Sequence, residues 1–581
     1  MFTPPYLFFS YLKKRAALLL PLFIYMCLPQ LAYAALDNVP SRETAGAEQE
    51  RFEKQQELET KAKRVRKDIQ READKEVAEI TGEKGNAFVL KSVSFSGNET
   101  VSTEELQKAV QEWIGKEINF DDLKKVTSKL KAYYRDKRFV AAYVYLPPQK
   151  IKDGAVEIRI VEGRLGNIKI EENKWFSEKA IRRALSLKQG EVIRFQDLNQ
   201  SLTDLNKNPD IKARALLAPG LEPKTTDIVF KVKDKFPVHL TGEINNLGTD
   251  STGNTRYGVG LTHNNLTGNM DQLSGRFQIG SGALAVGTRY SVVAGPYRTQ
   301  VGFSYSHSSV HLGRDFRELN IRGKADTYGI DIVQPFLRNS FVQSALNLGF
   351  DIKSIENKIL GVKAGKDELR ILNTGINLEE TDRFGKTYFP HTFHFGFSDF
   401  LGASDVNETA ATRANTGGQF FIYRNSLIRY NRLPYGLTHA LRTEVQLTPD
   451  RLSPSEQFRL GGAFSVRGYS EGDYLADYGG FITNEIYVPT YIFPAEWVLP
   501  YSHEQLRQVF QLVGFFDFGA GALRKTLPGE RNNKTLMGAG GGLRIHLYDR
   551  IFARLQWAAR MGDRAVDGEN GVFYYGVSAE T

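Results

Sequence analysis

From Pro237 to Thr581 the sequence is built of segments in which apolar and polar residues alternate. Between Ile551 and Arg560, for example, apolar residues such as Trp557 have one parity and polar residues such as Gln556 have the other. Successive side chains of a β-strand point to opposite faces, so each segment predicts a strand with one apolar and one polar face. Sixteen strands are predicted in this way, at 238–246, 255–264, 271–280, 283–294, 299–309, 325–334, 342–355, 368–379, 391–399, 418–430, 437–448, 480–488, 509–521, 536–547, 550–560 and 571–579.

The alternation predicts a fold class as well as individual strands. A single-chain membrane barrel has an even number of antiparallel strands, apolar on the outside and polar on the inside. Its closure pairs every backbone group within the hydrocarbon layer. After the N-terminal segment the sequence contains no run of 18 apolar residues, which excludes membrane-spanning helices. The chain is therefore predicted to be mostly β, with a 16-stranded transmembrane antiparallel β-barrel at 237–581.

The connections between the predicted strands support the same fold. Outer-membrane barrels have long loops at one end and short turns at the other. Two connections depart from this asymmetry, because 280–283 is too short and 489–508 is too long. The long connections otherwise follow odd-numbered strands, at 310–324, 356–367, 400–417, 449–479, 522–535 and 561–570.

The first 34 residues indicate the compartment. A basic cluster at Lys13–Arg15 precedes an apolar run from Ala16 to Leu28 and the small-residue site Ala32–Ala34. This pattern is typical of a secretory signal peptide, here 1–34, and predicts export. Cys27 is the only cysteine and lies inside this peptide, so the mature chain is expected to have no disulfide and no thiol chemistry. The net charge of +9 is spread without a basic block, so nucleic acid is not an expected partner.

Residues 48–80 are rich in charged residues, glutamine and alanine and contain no proline or glycine. A thin apolar stripe that includes Leu58, Val65 and Ile69 has helical spacing and predicts a single helix. At about 1.5 Å per residue, roughly 32 residues span about 48 Å, enough to run through a barrel. The alternative is a solvated charged spacer. Residues 81–87 are the candidate linker to the next domain.

Residues 88–163 and 164–236 repeat one order of elements, β-α-α-β-β. In the first module the chain alternates from Phe88 to Phe95 and then enters helices near Thr103 and after Phe120. A small mixed sheet with an open edge offers backbone groups with which an unfolded segment can pair. The repeat is therefore predicted to be a pair of small α+β domains that bind an extended chain, and the alternative is a rigid spacer.

The predicted connection 449–479 shows neither strand alternation nor helical spacing, and it carries an arginine among glycines. A loop this long in a β domain is usually functional. Its residues Val466, Arg467, Gly468 and Tyr469 resemble the loop signature of the two-partner secretion translocators, the haemolysin secretion/activation protein family of the outer-membrane assembly superfamily. The resemblance implies that this loop folds back into the barrel lumen. The alternative is an ordinary glycine-rich surface loop.

The first module carries motif residues that resemble the polypeptide-transport-associated (POTRA) domain of the same family. The resemblance implies POTRA 1 at 88–163, POTRA 2 at 164–236 and a plug helix at 48–80. The motif residues are Pro147, Pro148, Gln149, Asp153, Gly154, Glu162 and Gly163.

An arginine cannot shed its charge, so Arg467 needs an acidic partner if it enters the lumen. Asp517 is the candidate, because Phe516 and Phe518 share one parity and Asp517 has the other, which directs it inward. The resemblance implies the same pairing. We expect a water-accessible pair, for which losing one partner costs about 1 kcal/mol, rather than a dry pair, for which it costs about 3–5 kcal/mol. The alternative is that Asp517 merely lines a polar pore.

The resemblance implies a translocator in the outer membrane of a Gram-negative-type bacterium, with its POTRA domains in the periplasm. Its expected partners are a large secreted exoprotein of β-helical type, outer-membrane lipid, and the barrel assembly machinery during biogenesis. The exoprotein would dock on the POTRA domains and pass through the barrel. Two alternatives remain: a factor that assembles or inserts other outer-membrane proteins, and a passive porin or receptor.

Motifs of enzyme sites are missing from the sequence. It contains no Gly-x-Ser-x-Gly, no His-Glu-x-x-His, no Walker loop and no Gly-x-Gly-x-x-Gly. No catalytic residue, cofactor or bound metal is therefore expected.

Overall fold

A computed structural model describes residues 87–581 except 138, 140–141, 148, 150, 152, 221, 223–224, 296, 340, 407, 495, 501–503, 549 and 567. The predicted signal peptide, the predicted helix at 48–80, linker residues 81–86 and the motif residue Pro148 lie outside the described residues. The chain divides into two compact units, with the boundary between Phe236 and Pro237. In the described ranges no helix combines the length and the apolar character needed to cross a membrane.

The first module of the N-terminal unit is a three-stranded sheet with two helices. Its elements are β1 (Phe88–Val89), β2 (Ser92–Ser96), α1 (Thr103–Val110), β3 (Glu117–Ile118), α2 (Phe120–Asp136), β4 (Ala142–Tyr145) and β5 (Ala155–Glu162). The sheet order is β2–β5–β4, with β2 parallel and β4 antiparallel to the central strand. A separate two-stranded sheet, β1–β3, was not predicted.

The second module repeats this arrangement. Its elements are β6 (Arg164–Glu171), α3 (Glu178–Ala184), α4 (Phe195–Asn206), β7 (Ile211–Pro219) and β8 (Thr225–Asp234). The sheet order is β6–β8–β7, again with the first strand parallel and the last antiparallel to the central one. Each three-stranded sheet thus leaves two edge strands, β2 and β4 in the first module and β6 and β7 in the second.

The helices begin where the sequence supplies caps. The Ser102 hydroxyl accepts the backbone N–H of Glu105 at 3.3 Å ahead of α1. Asn119 and Asp122 form a reciprocal capping box ahead of α2, at 3.0 and 3.2 Å. Helix α2 then packs one apolar face against the sheet. That buried face includes Leu123, Val126, Leu130 and Tyr134.

The second unit is a closed barrel of sixteen antiparallel strands, which confirms the predicted fold class. All sixteen predicted strands overlap an observed one. Strand β26 (Gly571–Glu580) pairs with β9 (Val238–Asn245) to close the barrel. The barrel strands are β9 (Val238–Asn245), β10 (Arg256–His263), β11 (Gln272–Gly280), β12 (Ala283–Ala294), β13 (Thr299–His311), β14 (Arg322–Arg338), β15 (Val342–Ile359), β16 (Val362–Thr381), β17 (Gly385–Gly396), β18 (Phe420–Arg432), β19 (Thr438–Leu447), β22 (Tyr478–Pro489), β23 (Phe510–Ala522), β24 (Asn533–Leu547), β25 (Ile551–Arg560) and β26 (Gly571–Glu580).

Two predicted loops are wrong, because the strands continue through them. Strands β15 and β16 run on to a two-residue turn at Leu360–Gly361, in place of the loop at 356–367. Strands β13 and β14 likewise shorten the loop at 310–324 to the residues between His311 and Arg322. The short connection near 281 and the long one after Pro489 are both present, and the latter contains a helical turn at Leu506–Val509.

Side chains on each barrel strand alternate between the outside and the inside. On β23, Phe516 and Phe518 are exposed on the outer face, whereas Asp517 is completely buried on the inner face. On β25, Trp557 is exposed and Gln556 is buried. The parity predicted for both strands is therefore the parity of the structure, and the inner face is the polar one.

Candidate functional site in the barrel interior

The connection between β19 and β22 is a hairpin rather than an irregular loop. It contains β20 (Phe458–Leu460) and β21 (Tyr474–Ala476), which pair antiparallel with Phe458 opposite Ala476. The tip of the hairpin is the segment 461–473. Nearly every residue from Glu456 to Asp477 is buried. Because its partners lie on the inner faces of barrel strands, the hairpin occupies the barrel interior, as the sequence resemblance implied.

Arg467 at the hairpin tip makes four hydrogen bonds to two carboxylates. Its Nε and Nη2 donate to Asp517 at 2.6 Å each, and its backbone N–H donates to the same carboxylate at 3.0 Å. Its Nη1 donates to Glu485 at 2.6 Å. The side chains of Arg467 and Asp517 are both fully buried. The structure therefore contradicts the water-accessible setting that we expected from the sequence.

The register of the barrel explains why two acids meet one arginine. Strands β22 and β23 pair Thr483 with Asp517 and Glu485 with Phe515, so the two acids stand on neighbouring strands two residues apart on one face. Between them the ring of Phe515 lies 3.4 Å from the guanidinium carbon of Arg467. The planar guanidinium of arginine can bind a carboxylate through two nitrogens and at the same time lie over the face of an aromatic ring.

Glu485 was not identified from the sequence, and it links Arg467 to a second arginine. Its other oxygen accepts from Arg544 at 3.4 Å and from the Tyr487 hydroxyl. Two arginines therefore meet two carboxylates, Asp517 and Glu485, and the cluster has no net charge. Burial of an ion is costly unless it is paired and hydrogen bonded, and this cluster meets both conditions. The inward parity of Glu485 was visible in the sequence, but its proximity to Arg467 depends on the hairpin path.

Glycines let the hairpin tip approach the barrel wall. Gly468 has φ of +95°, and a Cβ there would lie 3.0 Å from the carbonyl oxygen of Ala559 on β25. On β24, a Cβ at Gly538 would lie 1.8 Å from the carbonyl oxygen of Arg467. The Tyr574 hydroxyl accepts a hydrogen bond from the Gly468 N–H at 3.1 Å and donates one to the carbonyl of Tyr469 at 2.8 Å. The backbone of the tip is thus fixed as closely as its side chain.

Val466 and Tyr469 complete the tip predicted from the sequence. Val466 is buried in an apolar cluster with Leu460 and Phe481. The Tyr469 hydroxyl accepts backbone N–H groups of Met537 at 3.4 Å and of Gly562 at 3.2 Å. These residues bring the hairpin against β22, β24 and the connection after β25.

Further ion pairs hold the hairpin at other points. Glu456 at its start accepts from Lys353 on β15 at 2.7 Å, and Asp473 pairs with Lys534 on β24. Since β15 and β24 are far apart in the order of strands around the barrel, the hairpin crosses the interior. At the base of the hairpin, Asp477 accepts a hydrogen bond at 2.8 Å from Arg413, which lies in the connection between β17 and β18.

The described POTRA-motif residues build the first module. Gln149 donates to the carbonyl of Glu157 at 2.7 Å and accepts its N–H at 2.8 Å, so its amide pairs with β5 like a strand. The Pro147 carbonyl accepts from Gln149 at 3.4 Å. Asp153 and Gly154 form the turn before β5, where the Gly154 carbonyl accepts from the backbone N–H of residue 91 at 2.8 Å.

Glu162 and Gly163 lie at the end of the first module. The buried Glu162 carboxylate accepts from Thr100 N–H at 2.7 Å and from the Tyr134 hydroxyl at 2.9 Å. Burial, together with this carboxylate, raises the pKa of Tyr134 well above its usual value. The Gly163 carbonyl accepts the N–H of Ile193 in the second module at 3.2 Å. These two residues therefore connect helix, strand and neighbouring module.

The structure brings Arg467 and Asp517 together within the barrel unit, and the described POTRA-motif residues belong to the N-terminal unit. Within the described ranges, no group of three or more histidine, cysteine, aspartate or glutamate residues could hold a metal ion. The interior cluster consists of paired charges and has the chemistry of an anchor for the hairpin.

Comparison with known proteins identifies the family. Residues 224–545 match the family described as haemolysin secretion/activation protein ShlB/FhaC/HecB, and residues 88–163 match the ShlB-type POTRA domain. The chain belongs to this family. It is an outer-membrane transporter of two-partner secretion, which works with a secreted exoprotein, and its N-terminal POTRA domains are periplasmic.

Several relatives cover most of the chain. The heme/hemopexin transporter protein HuxB of Haemophilus influenzae is 25% identical in an alignment of 481 residues that covers 79% of this chain and 81% of HuxB. The outer membrane transporter CdiB of Escherichia coli is 24% identical in an alignment of 416 residues that covers 70% of each chain. The solved structure of CdiB from Escherichia coli has a TM-score of 0.69 at 22% identity, covering 86% of this chain and 92% of that one. BamA from Haemophilus ducreyi, lacking POTRA domains 1–3, has a TM-score of 0.51 at 12% identity, covering 85% and 100%.

Proposed function

We propose that the exoprotein docks as an extended segment on the POTRA sheet edges, and passes through a barrel whose interior hairpin is anchored by Arg467. The observation that carries this proposal is the fully buried contact of Arg467 with Asp517. A closed barrel needs no such hairpin for its own strand pairing. The interior contacts are therefore best explained by a role in transport.

The edge strands of the POTRA sheets support the docking step. Strand β4 exposes Tyr143, and β7 exposes Leu216 and Leu217. An edge strand with free backbone groups and exposed apolar side chains can accept an extended segment as a further strand. Docking by strand addition needs only an alternating sequence, which suits a large exoprotein of β-helical type.

The segments that precede POTRA 1, of which the structure describes only residue 87, have proposed roles that follow from the sequence and its family resemblance. Residues 1–34 direct export, 48–80 form a helix that occludes the pore, and 81–87 link this helix to POTRA 1. We place POTRA 1 at 88–163, POTRA 2 at 164–236 and the barrel at 237–581. Deletion of 48–80 should raise the single-channel conductance of the purified protein in planar bilayers. Unchanged conductance would leave these residues only a spacer role.

Transport on this account involves neither catalysis nor a cofactor. The proposed drive is one-way capture of the exoprotein as it folds outside the cell. Further partners are outer-membrane lipid and the machinery that inserts barrels, and nucleic acid is not one. The family match favours secretion of an exoprotein over the alternatives of a barrel-assembly factor and a passive porin or receptor.

Removal of the first POTRA domain tests the docking step. A variant that lacks 88–163 should still form a heat-modifiable barrel in the outer membrane, because strand closure involves only residues 238–580. The large protein that disappears from the culture medium when this gene is deleted identifies the exoprotein. That protein should also be missing from the medium of the POTRA variant. Its continued secretion at equal barrel levels would contradict docking on this domain.

A further inference from the structure

Strands β14, β15 and β16 are the longest in the barrel, with 17, 18 and 20 residues. Eighteen residues at about 3.3 Å each, tilted by about 40°, rise about 45 Å along a barrel axis. The apolar band of an outer-membrane barrel is about 25 Å tall. These strands therefore extend beyond the hydrocarbon layer. The turn at Leu360–Gly361 lies opposite the periplasmic end, since β9 follows the POTRA domains and the strands alternate in direction.

The outer face of these strands changes from apolar to charged along their length. On β14 the exposed residues Ile332, Ile330 and Tyr328 mark the outward parity. The next outward residues toward the extracellular end are Asp326 and Lys324. Strand β15 shows the same change in the series Leu346, Leu348, Phe350, Ile352, Ser354, Glu356 and Lys358.

Strand register aligns the charged residues into rows just beyond this boundary. Lys324 pairs with Glu356, which pairs with Lys366 on β16. One row further out, Arg322 pairs with Lys358 on the neighbouring strand. We define the outer basic patch as the residues Arg322, Lys324, Lys358, Lys363 and Lys366.

The cations of this patch are more exposed than its acids. The side chains of Lys324, Lys358 and Lys366 are 55%, 47% and 37% exposed, whereas those of Glu356 and Glu368 are 18% and 20% exposed. Lys324 and Lys358 form ion pairs with Glu356, and Lys366 forms one with Glu368. In each pair the lysine is the more exposed partner. Five cations against three outward-facing acids, Glu356, Glu368 and Asp326, leave the surface positive.

Aromatic residues border the patch on its membrane side. The rings of Tyr305 and Tyr328 lie 4.9 Å apart on neighbouring strands. Phe350 contacts Phe400 of the connection after β17, with ring centroids 6.2 Å apart. Arg370, which lies between the apolar and charged rows, holds that connection by donating to the carbonyl of residue 401 at 2.9 Å. Aromatic side chains of this kind settle at the level of lipid head groups.

We propose that the outer basic patch binds the phosphate groups of a phosphorylated lipid in the extracellular leaflet. Its cations lie on the extracellular side of these aromatic rings, with the row of Asp326, Ser354 and Glu368 between them. The rings mark the level of the lipid head groups, which carry such phosphates. Lysine is an established binder of phosphate, and basic groups at a membrane surface attract anionic lipids. The opposite barrel wall, at β23 to β26, does not extend in this way, since its strands have 10 to 15 residues.

Titration of the purified full-length protein with lipid A, followed by native mass spectrometry, tests the proposal. The variant Lys324→Gln with Lys366→Gln should bind lipid A about tenfold more weakly than the unmodified protein, because it loses both lysines in the strand row of Glu356. Glu356→Gln removes the acid between them and should bind at least as tightly as the unmodified protein. Phosphatidylethanolamine, which has no net charge, should show no difference among these proteins.

A matched control is Lys525→Gln with Arg564→Gln, which removes two exposed cations from connections elsewhere in the chain. This control should leave lipid A binding unchanged. Equal binding by the Lys324/Lys366 variant and the unmodified protein would overturn the proposal, and so would an equal loss in the control. Retained lipid binding with lost secretion would mean that the patch contacts the exported protein instead. Because the barrel interior is untouched, none of these outcomes depends on the hairpin anchor.

Discussion

Asp517 binds Arg467 through both the side chain and the main chain of the arginine. The carboxylate accepts hydrogen bonds from Nε and Nη2 of the guanidinium, each at 2.6 Å, and from the backbone N–H at 3.0 Å. A single carboxylate therefore fixes the position of the hairpin backbone as well as its charge. Glu485 accepts a hydrogen bond from Nη1 of Arg467 at 2.6 Å. Each of the three guanidinium nitrogens therefore donates to a carboxylate.

Substitution Arg467→Lys tests whether geometry matters beyond charge. Lysine keeps the positive charge but cannot donate to Asp517 and Glu485 in a fixed fork or stack on Phe515. We expect at least a fivefold loss of secreted exoprotein, on the order of 1 kcal/mol, at equal barrel levels. Arg531→Lys is the matched control, because Arg531 forms an exposed ion pair with Asp563. This variant should secrete the exoprotein normally. Full secretion by Arg467→Lys would show that charge alone suffices.

Glu485→Gln tests the second carboxylate of the cluster. The change leaves two arginines facing one buried acid, and it should weaken hairpin docking by about 1–3 kcal/mol. We expect reduced secretion and greater protease sensitivity of the hairpin. Glu444→Gln is a suitable control, since Glu444 is half-buried and its carboxylate bonds Arg442 at 3.2 Å. Equal effects of the two substitutions on secretion and on protease sensitivity would contradict the claim that Glu485 anchors the hairpin.

Gly538→Ala tests the close approach of the hairpin tip to β24. A Cβ there would collide with the Arg467 carbonyl, so the tip must move away from the wall. Gly514→Ala on β23 is the control, because nothing lies within 4 Å of its Cβ position. We expect the first variant to lose secretion and the second to keep it. The amount of exoprotein in the medium, relative to heat-modifiable barrel, decides between them.

The sequence predicted the barrel well because lipid imposes a simple rule on each strand. Outward residues must be apolar, and the parity of Phe516 and Phe518 therefore located Asp517 on the inner face. The same rule fails beyond the membrane. The sequence predicts a loop at 356–367, because outside the membrane charged residues occur on both faces of a strand and the alternation is lost. In the structure the strands continue to the turn at Leu360–Gly361.

The interior cluster could be predicted only in part. The sequence resemblance pointed to Arg467, and strand parity together with the resemblance pointed to Asp517, whereas Tyr574 and Glu485 were not predicted. Tyr574 is 105 residues from the backbone carbonyl that it bonds, so no local pattern links the two. The dryness of the Arg467 site also escaped prediction, because it results from the packing of Phe515 and the hairpin over the charges. With this burial, loss of one partner should cost about 3–5 kcal/mol of hairpin docking rather than the smaller cost first expected.

The most direct test of the account is the secretion of the exoprotein by Arg467→Ala, Asp517→Ala and the double variant. Each single change should abolish secretion or reduce it severely, whereas the barrel remains heat-modifiable because its strand pairing does not include the hairpin tip. The double variant should be little worse than either single one, since the two residues act as one unit. The measurement is exoprotein in the culture medium relative to barrel in the outer membrane. Full secretion by Arg467→Ala would contradict the claim that the anchored hairpin is required for transport.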